Sequence, residues 1–200
     1  PYLIAELQSI GIPAICAGHI GDDEDKFRAM LAAQKDARIL VSSGAVSKGK
    51  WDFIPTVLGE LGAEILFHRV AIKPGKPVLF ARFPDGRYFF GLPGNPISAA
   101  IGLRCFMMPL LRRLLGLADE SPAFARLTAP FNKKGPLRLF LKARTRLSPE
   151  GIIDLDILPG QESFKIAPLL HTNAWAVFDE TPKDYPASQT VMFYPTQLLG

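Results

Sequence analysis

The sequence predicts an α/β fold: a three-layer domain with a mostly parallel sheet over residues 1–120, followed by a small all-β, barrel-like domain over residues 121–200. Three observations carry this. Helical and strand-like patterns alternate through the first part, which implies a parallel sheet covered on both faces. Short β-like runs follow one another in the second part, separated by Pro, Gly and Asn/Asp turns, with no helical pattern. Between them the polar, proline-bearing stretch ADESPA at 118–123 marks a boundary.

Each element has its own signal. Leu3, Ile4, Leu7 and Ile10 recur at helical spacing, and Gly11 is a natural stop, so residues 2–10 form a helix. IPAICA (12–17) reads as a short strand. GDDEDKFRAMLAAQK (21–35) reads as a second helix whose acidic opening suits the positive end of the helix dipole. RILVSS (38–43) is a buried strand, followed by the loop GAVSKGKWD (44–52) and the helix FIPTVLGELG (53–62) with Pro55 in its first turn. EILFHRVAI (64–72) is the next strand, broken by KPGKP at 73–77. PVLFARF and YFFGL form a hairpin on the Asp85-Gly86 turn. GLPGNP (91–96) then opens a long helix from about 97 to 115, ended by Gly116. Further on, LRLFLKARTRL, GIIDLDIL, AWAVFDE and QTVMFYP are the strands of the second domain.

Composition narrows the function classes. With 48% hydrophobic and 21% charged residues the chain can bury a core. Its longest apolar run, around 101–111, is interrupted by Arg104 and closed by Arg112 and Arg113, short of the ~20 residues of a membrane span. The amino end lacks the pattern of a secretory signal, so a cytosolic location is expected. Cys16 and Cys105 give neither a disulfide framework nor zinc-ligand spacing and are expected in the core. The net charge of +4 is spread along the chain without a dense basic run, which favours small anions over nucleic acid.

Ligands of parallel α/β sheets bind where strands end and helices begin. Two segments have that form: 42–47 (SSGAVS) after RILV, where small residues admit a ligand and hydroxyls can donate, and 91–96 (GLPGNP) after YFF. Between them Lys73 and Lys76 stand on a stiff turn, suited to an oxyanion or simply solvated. Asp52 can hold Mg²⁺ or cap the following helix. The acidic run from Asp22 to Asp25 can face a metal or start its helix. His19, His68 and His171 have no metal-ligand spacing. On these residues alone, the chain is an α/β binder of an anionic, phosphorylated small molecule.

Taken in order, SSGAVSKGKWDF, ELGAEILFHRVAIKPGKPVLF and FFGLPGNPISAA closely resemble the third domain of the MoeA and gephyrin E-domain family, the molybdopterin molybdenumtransferases. The resemblance covers residues 1–116 and continues more weakly through 126–200, where LRLFLKA, PGQESFKIAPL and TNAWAVF are similar to the family's small carboxyl-terminal β domain. It implies a MogA-like α/β domain and transfer of molybdate to adenylylated molybdopterin with release of AMP, assisted by Mg²⁺. It also implies a homodimer whose partner completes the site.

By motif position, Asp52 is the acidic residue at the metal or molybdate, and Lys73 and Lys76 bind anionic oxygen. Ser43, Gly44 and Ser47 line the nucleotide or pterin phosphate. Gly91, Pro93, Gly94, Asn95 and Pro96 form a second wall, with Ser98 at the helix start. Arg138, Lys142 and Ser163 are candidates for molybdate. Two features depart from the family: Ala45 replaces a usual glycine, and Lys48 and Lys50 make the loop more basic. The resemblance further places a first strand with a Thr-Gly-x-Glu-like loop, and two more domains, upstream of Pro1, so the 200 residues are expected to bind ligand without turnover. The alternatives are a molybdopterin adenylyltransferase, whose chains normally lack a β domain after this helix, and a non-catalytic pterin-binding scaffold.

Overall fold

A computed structural model describes residues 1–21, 23–44 and 53–197 of the chain. They divide into two units, Pro1–Val70 with Gly75–Gly102, and Ala71–Pro74 with the residues from Leu103 onward.

The first unit begins with α1 (Tyr2–Ser9), whose Leu7 is buried, and α2 (Glu24–Ala33). Asp23 caps α2: its carboxylate accepts the Lys26 backbone N–H at 3.0 Å, satisfying one donor that a helix start leaves open. The expected strand over 12–17 is not formed among these residues. They carry no regular structure, and Ile15 is 80% exposed. The apolar run IPAIC has β propensity, but a strand exists only when a neighbouring strand takes its backbone hydrogen bonds.

The sheet has the order β1-β5-β4-β2, with β1 at Ile39–Ser43, β2 at Glu64–His68, β4 at Leu79–Arg82 and β5 at Tyr88–Leu92. Only the β1–β5 pairing is parallel; β4–β5 and β2–β4 are antiparallel. The mostly parallel sheet expected from alternation is therefore corrected to a mixed one. The reason is local. Asp85-Gly86 turns the chain straight back, with Gly86 at φ +85 and Phe83 N–H donating to Arg87 O, so β4 and β5 must run in opposite directions. The strand expected over 64–72 likewise stops at His68. Arg69 takes φ +66, and its N–H returns to Val78 O at 2.8 Å, which folds the chain back onto β4.

One face of this sheet is closed by α2 and α3 (Phe53–Glu60): Phe27, Leu31, Ile54, Val57 and Leu58 pack on Leu40, Leu79, Ala81 and Phe89. Phe27 meets Phe53 and Phe89 edge-on, the geometry aromatic quadrupoles favour. On the other face Phe80 stacks on Phe90 at 4.5 Å, its cross-strand partner in the register. The first unit ends with α4 (Pro96–Gly102), against which α1 packs.

The second unit opens with the rest of the helical run. A π-helical stretch (Leu103–Met107) leads into α5 (Met108–Leu114), where one regular helix was expected. Pro109 has no N–H to donate, so the regular ladder cannot pass through this point. The stop was legible: Gly116 takes φ +71, and Leu117 N–H returns to Arg112 O at 2.8 Å.

Beyond α5 come β6 (Ala123–Leu127), β7 (Phe131–Lys133), β8 (Arg138–Leu147), β9 (Ile153–Ile157), β10 (Ala174–Phe178), β11 (Lys183–Tyr185) and β12 (Thr190–Pro195). The ten-residue β8 pairs with β9 through 143–147 and with β10 through 139–143, so the order β10-β12-β6-β9-β8 closes on itself. Closure leaves little room inside, and Ala125, Ala143, Ala174 and Ala176 line it beside Leu127, Leu155, Val191 and Phe193. A short strand, β3 (Ile72–Lys73), adds to β8 in parallel. A 3₁₀ helix (Ala167–His171) joins this unit, where no helix was expected.

Candidate functional site

The parallel pairing of β1 with β5 builds the site. Its register sets Ser42 opposite Gly91 and Ser43 opposite Leu92, so both sequence motifs leave the sheet at the same end. Gly44 N–H donates to Leu92 O at 3.0 Å and extends the ladder one residue beyond the strand. Past that point the two loops touch through glycines. A Cβ on Gly94 would lie 3.0 Å from the Gly44 Cα, and Gly44 sits at φ +99. A side chain on Gly94 would fit only if the Gly44 backbone gave way by a few tenths of an ångström.

Around this contact Gly91 and Pro93 are buried, Asn95 is half-buried, and Gly94 and Pro96 are exposed. Asn95 turns the chain into α4: its side-chain carbonyl accepts the Ile97 N–H at 3.2 Å, and its backbone carbonyl accepts the Ala99 N–H at 2.9 Å. Ser98 is buried at 6% exposure within α4. Gly102 lets this helix lie on β5, since a Cβ there would come within 2.6 Å of a Leu92 methyl.

Ser42 adds a feature that sequence reasoning left unassigned. Its Oγ is buried and has no hydrogen-bond partner among the described residues. A buried hydroxyl without a partner is costly, so a polar atom that meets it gains the full value of the bond. The signal in the sequence was the doubled serine before Gly44; pattern alone could not say which of the two faces inward.

Ser47 and Asp52, with Ala45, Lys48 and Lys50, lie outside the described residues, as does Asp22. Lys76 is exposed on the first unit, its carbonyl accepting the Val70 N–H at 2.9 Å. Lys73 is exposed in β3 and belongs to the second unit. Arg138 is exposed and pairs with Glu180 at 3.1 Å. Ser163 is half-buried in the loop after β9. Lys142 is 1% exposed, with its ammonium directed at backbone carbonyls. Among the described residues no group of three or more His, Cys, Asp or Glu could hold a metal ion.

Two expectations need correction or limits. Cys16 was expected in the core and is exposed, because its segment is not part of the sheet. No helix among the described residues is long and apolar enough to cross a membrane. An open depression of about 460 Å³ lies on the first unit beside Arg38, Arg82 and Tyr88. Tyr88 begins β5, whereas Gly91 and Leu92 end it, so this depression is at the wrong end of the strands for the site.

The comparisons with known proteins agree with this geometry. A family model described as "Probable molybdopterin binding domain" matches residues 1–113. The molybdopterin molybdenumtransferase of Synechococcus elongatus is 36% identical over 182 residues, covering 88% of this chain and 43% of that protein. The Haemophilus influenzae protein of the same name is 32% identical over 199 residues, with 97% and 49% covered. Among solved structures, the molybdopterin biosynthesis MoeA protein of Pyrococcus horikoshii superposes with a TM-score of 0.74 at 25% identity, over 98% of this chain and 46% of that one. The chain thus spans about half the length of these relatives. With the family model matching more than half of the residues, the chain belongs to the molybdopterin-binding domain family.

Proposed function

We propose that the chain supplies the ligand-binding part of a molybdopterin molybdenumtransferase, which inserts molybdate into adenylylated molybdopterin and releases AMP. The observation that carries this reading is the meeting of 42–44 and 91–94 at one end of the parallel β1–β5 pair. Two loops that approach this closely through glycine leave backbone N–H groups and the exposed Ser43 hydroxyl for phosphate and pterin oxygens. In this reading Gly44, Ser47, Gly91, Pro93, Gly94, Asn95, Pro96 and Ser98 shape the pocket, while Lys73 and Lys76 neutralise anionic oxygen. Asp52, together with phosphate oxygens, holds Mg²⁺, which supplies charge neutralisation as the anhydride breaks. Helices on both faces of the first sheet and a cytosolic setting, expected from the sequence pattern, and a homodimer, implied by the resemblance, complete it.

The names of the relatives support molybdenum cofactor biosynthesis as the setting. The β-rich residues from 123 onward favour this reading over an adenylyltransferase that ends after the helix. Calorimetric titration of the chain with adenylylated molybdopterin tests the binding half, with Gly94→Val as the disrupted control. Binding by the parent chain and its loss in the variant are expected; equal heats from both would sink the assignment. AMP release after adding molybdate and Mg²⁺ would mark an enzyme; binding without turnover is what these 200 residues are expected to show and is shared with a scaffold.

A further inference from the structure

Lys142 lies on β8 inside the second unit, with 1% of its surface exposed. Its Nζ donates to three backbone carbonyls of one loop: Gly160 O at 2.5 Å, Lys165 O at 2.9 Å and Glu162 O at 3.2 Å. An ammonium has three N–H donors, and all three are used. The same loop grips the lysine's backbone. Gln161 accepts from Lys142 N–H at 3.0 Å and donates to Lys142 O at 2.8 Å and to Leu158 O at 2.7 Å. Gly160 makes the wrap possible: it takes φ +72, and a Cβ there would press on Pro168 at 3.1 Å.

A buried charge is retained only where polar partners replace its water, and here the partners are carbonyl dipoles that converge on one point. Burial pulls the ammonium's pKa down, while the nearby Glu162 opposes the shift. The arrangement is that of a cation site whose cation is covalently part of the chain. Outside it, the loop region turns Phe164, Ile166 and Leu170 to solvent at 70%, 56% and 86% exposure. Those side chains bury too little to hold the loop, which leaves the Lys142 ammonium and the Gln161 amide as its polar anchors.

From this we infer that Lys142 is a positioning residue: its ammonium organises residues 160–165 and so places Ser163, instead of contacting an oxyanion itself. A molybdate role for Ser163 is what the family resemblance implies and rests on the molybdenumtransferase reading; the organisation of the loop does not. A direct molybdate ligand would need a free N–H, and this ammonium has none to spare.

Hydrogen exchange of the chain, without any ligand, reads the loop separately from the reaction. In Lys142→Met, which keeps the length of the stem but not the charge, amides at 161–166 should exchange about tenfold faster or more, while those of β10 keep their protection. Lys142→Ala should lose the same protection and regain part of it in ethylammonium chloride, but not in sodium chloride at equal ionic strength. Unchanged loop protection in both variants would overturn the inference, and so would global loss of protection with no rescue by the amine. Wherever turnover is measurable, the amine should also restore it to Lys142→Ala, a response that a ligand role confined to molybdate affinity does not require. If the parent chain neither binds nor turns over the pterin, the functional reading falls while the exchange result stands.

Discussion

Gly44 and Gly94 stand back to back, and a β-carbon on Gly94 would lie only 3.0 Å from the Gly44 Cα. Because the opposing atom is backbone, it cannot swing aside as a side-chain end would. Gly94→Ala should therefore separate the loops and cost about 1–3 kcal/mol, as overpacking does in other tight sites. In a chain of this size each kcal/mol lowers the melting temperature by roughly 2–4 °C, so calorimetry resolves the effect. A melting curve that overlays the parent's would show that the loops can part freely.

Arg104 and Glu120 form the most enclosed ion pair of the second unit. The guanidinium is 3% exposed, bonds both carboxylate oxygens at 2.7 and 2.5 Å, donates to Pro195 O at 2.8 Å and lies 5.1 Å from the Tyr194 ring centre. Breaking such a pair leaves a desolvated charge, so Glu120→Gln should cost about 3 kcal/mol in urea unfolding. Replacing Arg104 and Glu120 together by Met and Leu should cost less than Glu120→Gln alone. The reverse order would mean that solvent reaches the pair.

The two cysteines should differ sharply toward an alkylating reagent at neutral pH. Cys16 is exposed, whereas burial pushes the Cys105 thiol up to about 12. Only the thiolate is nucleophilic, so one equivalent of iodoacetamide should be taken up under native conditions and two in denaturant. Mass spectrometry would locate the label on Cys16, and early labelling of Cys105 would contradict the packing around Arg104.

Acid should weaken the fold through several surface carboxylates. The Lys26 N–H that caps α2 holds Asp23 below the ordinary aspartate range, and the Arg87 N–H does the same for Asp85. Arg113 holds down Asp119, and Lys165 holds down Glu162. Each native value is depressed, so the stabilisation is complete above the unfolded values and is lost as pH falls through the native ones. Urea midpoints should be level near neutrality and decline below about pH 4. Asp23→Asn keeps a capping carbonyl but cannot titrate, and should flatten part of that decline.

Much of the fold was legible where its signals are local: the Asp23 cap and the Asp85-Gly86 turn in the first unit and the Gly116 stop in the second each act within a few residues. The loops at 42–44 and 91–94 were legible for the same reason. What periodicity could not supply was pairing. Residues 12–17 have strand-like composition without a strand to join, and His68 ends β2 because of the backbone at Arg69. Lys142 shows the same limit in chemistry. A lysine in a β-strand invites a ligand role, and only the carbonyls at 160, 162 and 165, distant in sequence, show that its donors are taken.

Residues Ala71–Pro74 belong to the second unit although the chain on either side of them belongs to the first, and β3 within them adds to β8. The backbone therefore passes between the units at three places: before Ala71, after Pro74 and after Gly102. A recombinant piece starting at Leu103 would lack the strand that covers one side of Arg138 and Leu139, and a piece ending at Gly102 would carry that strand with nothing to receive it. A protease nick after Gly102 would leave no peptide bond between the two products, yet β3 of the first would still pair with β8 of the second, so the cut chain should migrate as one species until it is denatured.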